Sequence, residues 1–171
     1  MYTLAPDEKA TTVVVYSPNK MIHGDLVTKK EIRVNIWLRM QDLPNYIHLL
    51  KAEVLLFGGS SYKSVMYDEY FFPINRIIGY HLAFSQTEPL DYDPGTPDRT
   101  MMDVDMILGA YMLKGRVRIS THANFVTMIE ISHMTWFSVY DADISNPLQP
   151  HLPTIHVPML LVNPTQVSFG M

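Results

Sequence analysis

The chain has 171 residues, 47% of them hydrophobic and 18% charged, with no cysteine and a net charge of −4. Such an apolar share can build a core, which excludes a disordered tail, and the lack of thiols excludes a disulfide framework, a cysteine-based zinc site and a thiol nucleophile. A net negative chain also lacks the charge with which general nucleic-acid binders neutralise phosphates, so nucleic acid is disfavoured as a partner.

The opening MYTLAPDEKATT has no basic region followed by an apolar stretch, so no secretory signal is expected. No window approaches the ~18 uninterrupted apolar residues of a spanning helix. A cytoplasmic protein without a membrane span is the expectation. Thr12–Tyr16 is dense in β-branched residues and predicts a strand. Ser17-Pro18-Asn19-Lys20 turns it, because Pro presets φ and Asn tolerates the left-handed region. Met21–Thr28 returns, with Gly24 marking a bulge or a close backbone approach. Between 28 and 44, Ile32, Ile36, Trp37 and Met40 fall at helical spacing and predict a short amphipathic helix. Tyr46–Phe57 reads as a strand, Phe57-Gly58-Gly59-Ser60-Ser61 as a flexible hairpin loop, and Tyr67–Pro73 with Arg76–Phe84 as a closing hairpin about Asn75.

Gln86–Arg99 holds Pro89, Pro94, Gly95 and Pro97, with four acids against one base. That is the composition of a solvated, turn-rich linker. Beyond it, Met102, Val104, Met106 and Leu108 alternate with Asp103, Asp105 and Ile107, the period of a half-buried strand. Gly109-Ala110 turns it and Tyr111–Ile119 returns. Thr121–Ser132 carries Phe125, Met128, Ile129 and Ser132, which predicts a short helix capped by Ser120 or Thr121, while its Ile-Glu-Ile alternation fits an extended segment nearly as well. Trp136–Ile144 is a strand, and His156–Val162 with Thr165–Phe169 is a second closing hairpin about Asn163-Pro164.

The flanking segments, 11–85 and 100–171, are nearly equal in length and share a pattern. Gly24 lies over Gly115 and Ala52 over Ala142, within Tyr46–Val54 and Trp136–Ile144. The offset is 91 residues at the glycines and 90 at the alanines. The expected architecture is all-β, with short helices, a tandem duplication of two small five-stranded antiparallel β-barrel-like units packed together.

A second strand carrying Gly and an apolar-Ala-acid-apolar third strand resemble the Sm-like small barrels. Leu49-Leu50-Lys51-Ala52-Glu53-Val54 and Val139-Tyr140-Asp141-Ala142-Asp143-Ile144 look like that family's third strand. Asn75-Arg76-Ile77-Ile78 and Asn163-Pro164-Thr165-Gln166-Val167 sit where its closing turn would be. The RNA-contacting loop pattern is missing from both halves and neither closing turn has Arg-Gly. The resemblance therefore implies a fold and not the family's uridine-binding role.

No chemistry converges. The seven histidines form no His-x-His or HExxH pair, and there is no Gly-x-Ser-x-Gly elbow. The Gly-rich loop lacks the P-loop Lys-Ser/Thr ending. Asp103 with Asp105 and Asp141 with Asp143 read as solvating residues on strand faces. No catalytic residue, metal or cofactor is assigned. Charge is uneven: +2 over 11–85, −3 in the linker and −2 over 100–171, which points to head-to-tail association. Aromatic residues are the stronger clue. Tyr67, Tyr70, Phe71 and Phe72 cluster, and adjacent Trp136 and Phe137 must face opposite sides of a strand. Either the partner half covers the second face or a patch is exposed to a partner. These six residues are the candidate partner contacts of a non-enzymatic structural or protein-interaction module, expected to be a homo-oligomer. The alternative is a nucleic-acid or nucleotide binder using Lys29, Lys30, Arg33 and Arg76. A third is an enzyme with a site between the repeats.

Overall fold

The computed structural model describes residues 2–59, 61–131 and 136–170. Ten strands and one α-helix are present among them: β1 (Glu8–Ser17), β2 (Lys20–Lys29), β3 (Tyr46–Gly58), β4 (Ser61–Pro73), β5 (Gly79–Leu82), β6 (Arg99–Leu108), β7 (Tyr111–Ser120), α1 (Phe125–Ile131), β8 (Phe137–Ser145), β9 (Ile155–Val162) and β10 (Val167–Gly170). Short 3-10 helices occupy Val34–Arg39, Ile74–Arg76 and Pro164–Gln166. The chain is all-β in framework, and every strand pairing is antiparallel.

The strands form one sheet in the order β10-β6-β7-β8-β9-β5-β1-β2-β3-β4. The two halves thus share a continuous sheet instead of standing as two separate barrels. Read from its fourth strand, the first half runs β4-β3-β2-β1-β5 and the second β9-β8-β7-β6-β10, the same order. The expected closing hairpins are absent. Pro73 and Ile74 lead from β4 through a 3-10 turn to β5, which pairs with β1 and β9 and not with β4. Likewise β10 pairs with β6 and not with β9.

The helix expected between 28 and 44 is a 3-10 segment that buries Val34, Trp37 and Leu38. The helix of the second half begins at Phe125, and its cap is Asn124, whose Oδ1 accepts from the Thr127 backbone N–H at 2.8 Å, in place of Ser120 or Thr121. Ser132, expected at that helix's end, lies outside the described residues, as does Ser60 of the β3–β4 turn.

Each half uses one device at the same place. A Cβ on Gly24 would lie 3.2 Å from Ala52 Cα, and one on Gly115 would lie 2.6 Å from Val139 Cγ1 and 3.3 Å from Ala142 Cα. A methyl would overlap Val139 at Gly115 and sit tightly against backbone at Gly24, so β2 approaches β3, and β7 approaches β8, more closely than a side chain fits without a shift. Opposite each glycine the register skips a residue, Lys51 in one half and Asp141 in the other, and both have positive φ (49° and 47°). These are β-bulges, which increase the local twist and bend the sheet over its core.

Two apolar clusters result. One gathers Val13, Val15, Ile22, Leu26, Leu49 and Ile77 of the first half, and it also takes Trp136 and Leu161 from the second. The other gathers Val104, Met106, Leu113, Phe137, Ile144 and Leu160, and it takes Val14, Tyr16 and Ile78 from the first half. Trp136 and Phe137 are therefore both buried, in different clusters. Of the two arrangements open to this pair, cover by the other half is the one found, and no exposed patch forms at these two residues.

The acidic segment 86–99 is a strap bound to both halves. Glu88 caps the 3-10 segment, accepting from Val34 N at 3.0 Å and Asn35 N at 2.9 Å. The Pro89 carbonyl accepts from Arg33 and from the Asn35 side chain. Asp91, its side chain 7% exposed, accepts from Tyr140 Oη at 2.6 Å, from Ser138 Oγ at 2.7 Å and from Arg39. Arg118 donates to the Asp93 carbonyl and lies over the Tyr92 ring. Acids that read as solvating residues are paired cations' partners and helix caps.

Candidate interaction surface

One joint links the halves, and two sheet ends are left over. At the joint, Gly79 faces Val162 and Tyr80 faces Leu161, and Asn163 N donates to the Ile78 carbonyl at 3.0 Å. Side chains close over it. Tyr16 packs edge-on to Tyr111 with ring centroids 4.9 Å apart, and Tyr111 Oη donates to the Lys20 carbonyl at 2.8 Å. Tyr16 also meets His81, which is buried on β5. His81 Nδ1 lies 2.7 Å from the Leu82 carbonyl, which can only accept, so Nδ1 carries the proton and Nε2 accepts from Tyr16 Oη at 3.0 Å. Burial pulls the imidazole down to a pKa of about 4, against the upward pull of the Leu82 hydrogen bond.

The free ends are β4, paired only with β3, and β10, paired only with β6. They are unlike. β4 has 13 residues, most of them exposed, and β10 has four. Of the expected partner contacts, Tyr67 and Phe71 are exposed on β4 at 43% and 57%, Tyr70 is half-buried and Phe72 is buried. Tyr67, Tyr70 and Phe72 form a stacked series with centroid spacings of 5.1 and 6.2 Å. Burial and the neighbouring Tyr67 raise the Tyr70 pKa above the usual phenol value. Met66, exposed at 65%, extends the apolar edge.

At the same end lies an open cavity of about 510 Å³, walled by the β1–β2 turn, by Lys20, by Tyr70, Phe71 and Phe72, and by Arg76. Lys20 Nζ stands 5.9 Å from the Phe72 ring centroid. Arg76, one of the expected phosphate contacts, is here. The others are not. Lys29 pairs with Asp7 at 2.7 Å, Lys30 donates to the Pro6 carbonyl, and Arg33 holds the strap. Lys29 and Lys20 are the two ends of β2, about 30 Å apart at strand rise. The expected basic patch is therefore split. Lys20, which the sequence reading passed over, is the residue that joins Arg76; its place right after the first turn, beside the aromatic run of β4, became apparent only with the strand register.

Where the strap meets both halves lies a polar cavity of about 210 Å³ lined by Arg39, Asp91, Arg118, Ser138 and Tyr140, and two further cavities along the seam are mainly apolar. One of about 290 Å³ lies between Leu82, Ala83 and Phe84 and the stretch Val157–Met159. Another of about 110 Å³ lies between Tyr16, Met21 and Phe57 and the residues Tyr111, Ile144 and Ile155. No helix among the described residues is long and apolar enough to cross a membrane.

Compared with known proteins, the chain matches no family model, no curated protein and no solved structure.

Proposed function

We propose that the protein is a non-enzymatic interaction module that self-associates head to tail, the β10 end of one copy adding to the β4 end of the next. One observation carries this reading: the joint inside the chain unites the same two positions that stand free at its ends. Strand order makes β5 the counterpart of β10 and β9 the counterpart of β4. A second copy can repeat the joint with no new kind of contact, and the unlike edges make the contact heterologous, extending to a ring or a filament.

The registers support a particular contact. Tyr16 pairs with Gly79 and Ile107 with Ser168, so Ser168 stands where Gly79 does. At the internal joint, Tyr16 and Ile78 cover Leu108 and Leu160 of the second half. Their counterparts at the free end are Ile107, exposed at 56%, and Val167. The surface they would cover on the next copy contains Ser17 and Tyr70, the wall of the open cavity. Unpaired strand edges invite such addition, and an exposed apolar β4 favours it.

The duplicated small-barrel reading and the Sm-like likeness belong to the same proposal. They are supported by the repeated strand order and by the matched glycines and bulges at Lys51 and Asp141. A cytoplasmic homo-oligomer is the setting in which such a module works.

Sedimentation over a concentration series tests the reading. The wild type should exceed the single-copy mass, and Ile107→Lys, which puts a charge on the exposed apolar residue of that contact, should return it to one copy. A wild-type chain that stays a single copy at the highest concentration rejects it.

A further inference from the structure

We propose that the cavity at the β4 end is a binding site for a small aromatic phosphate, a ring compound carrying a phosphate monoester. Its wall has two cations, Lys20 and Arg76, and no acid. Neither cation takes part in an ion pair among the described residues. Four other cations, Lys29, Arg39, Arg116 and Lys114, each face a carboxylate. Two unpaired positive charges in one concave wall match a dianion, and a phosphate monoester is close to one at neutral pH. Arg76 offers a planar pair of N–H donors, the geometry that fits phosphate oxygens.

The remaining wall selects the rest of the ligand. Tyr70 and Phe72 lie nearly parallel, 16° between ring planes, and Phe71 and Pro73 add apolar surface. Aromatic faces beside cations hold a ring by stacking while the charges hold its phosphate. About 510 Å³ admits a ring with its phosphate and excludes little of that size. The basic residues at the far end of β2 are engaged elsewhere, so no extended cationic track leads away from the cavity. This favours a compact ligand over a nucleic-acid strand. The site stands on these residues and not on self-association. A neighbouring copy's Ile107 would occupy the same space, so ligand and neighbour compete.

Phenyl phosphate is the probe, with inorganic phosphate and benzyl alcohol isolating its two parts. Binding is followed by amide NMR shifts in the wild type and in the Ile107→Lys chain, whose cavity residues are unchanged. Phenyl phosphate should saturate, with shifts confined to residues 17–20 and 70–76, and should bind about tenfold more tightly than inorganic phosphate, a stacking contribution of roughly 1.4 kcal/mol. Arg76→Gln and Lys20→Gln should each weaken it about tenfold, as should a rise in salt in lesser degree. Both side chains are at the surface, and unchanged melting curves verify the fold. Equal affinity for phenyl phosphate and inorganic phosphate overturns the proposal. So do shifts centred elsewhere, unaltered binding by both variants, or binding of a short oligonucleotide without binding of phenyl phosphate.

Discussion

Replacing Asp91 by Ala removes the residue on which the strap and both halves converge. Its carboxylate accepts from Tyr140 and Ser138 of the second half and from Arg39 of the first, with its side chain only 7% exposed. Burial alone would raise this carboxyl, but the hydrogen bonds from Tyr140, Ser138 and Arg39 outweigh it and hold it below the usual carboxylate range. A hydrogen bond to a charged group nets about 1.5–3 kcal/mol, and breaking a buried pair costs about 3–5 kcal/mol. Arg39 is 29% exposed and keeps the Trp136 carbonyl and Ser138 Oγ, which lowers the expected cost. The expected loss is ~3 kcal/mol for Asp91→Ala. With a urea slope of about 2 kcal/mol/M, the midpoint should fall by roughly 1.5 M. The sign with pH is determined: a carboxyl whose folded pKa is depressed stabilises above its unfolded value near 4 and loses that contribution as pH falls through the folded value. The gap between wild type and variant should therefore be constant from pH 7 to 5 and narrow below about 4. Asp93→Ala is the control, because only the exposed Asp93 side chain goes, while the carbonyl that takes Arg118 stays. A midpoint shift for Asp91→Ala below about 0.3 M, or one equal to that of Asp93→Ala, refutes the clasp.

Other consequences are as direct. His81 is neutral in the fold with a pKa of about 4, so the unfolded chain takes up a proton that the native state refuses; stability should be full above pH ~6.5 and fall by roughly 3 kcal/mol on going to pH 4, and a His81 NMR titration midpoint near 6.5 would contradict this. Gly115→Ala places a methyl 2.6 Å from Val139 Cγ1 and should cost ~2–3 kcal/mol, more than Gly24→Ala, whose contacts start at 3.2 Å; equal midpoints in denaturation would refute the ordering. Trp136→Ala should cost about 3–5 kcal/mol and lower a single transition for the whole chain, because this side chain from the second half fills the first half's core; two separated transitions would count against the shared sheet.

Much of the framework was written locally. β1, β2, β3, β6 and β7 follow from β-branched runs, turn residues and period-two alternation, all of which act within a few residues. Gly24 and Gly115 were legible as special positions for the same reason. What neighbour-range patterns could not carry was which strand pairs with which. Strands β4 and β5 follow one another and read as a hairpin, yet Pro73 and the 3-10 turn send β5 across to β1 and β9.

The candidate site divides in the same way. Tyr67, Tyr70, Phe71 and Arg76 could be singled out by type and clustering, and the structure assembles them at one sheet end. Lys20 joined them only through the register of β2 with β3 and β3 with β4. Trp136 and Phe137 are buried because the halves share one sheet and a different cluster covers each of them, a property of the whole sheet and not of the strand. The sequence by itself determined the β class and the positions of the main strands, since these depend on side-chain periodicity and turn chemistry. Tertiary structure alone decided the single sheet, the bound strap and the two unlike ends, because each is set by hydrogen bonds and packing between residues tens of positions apart.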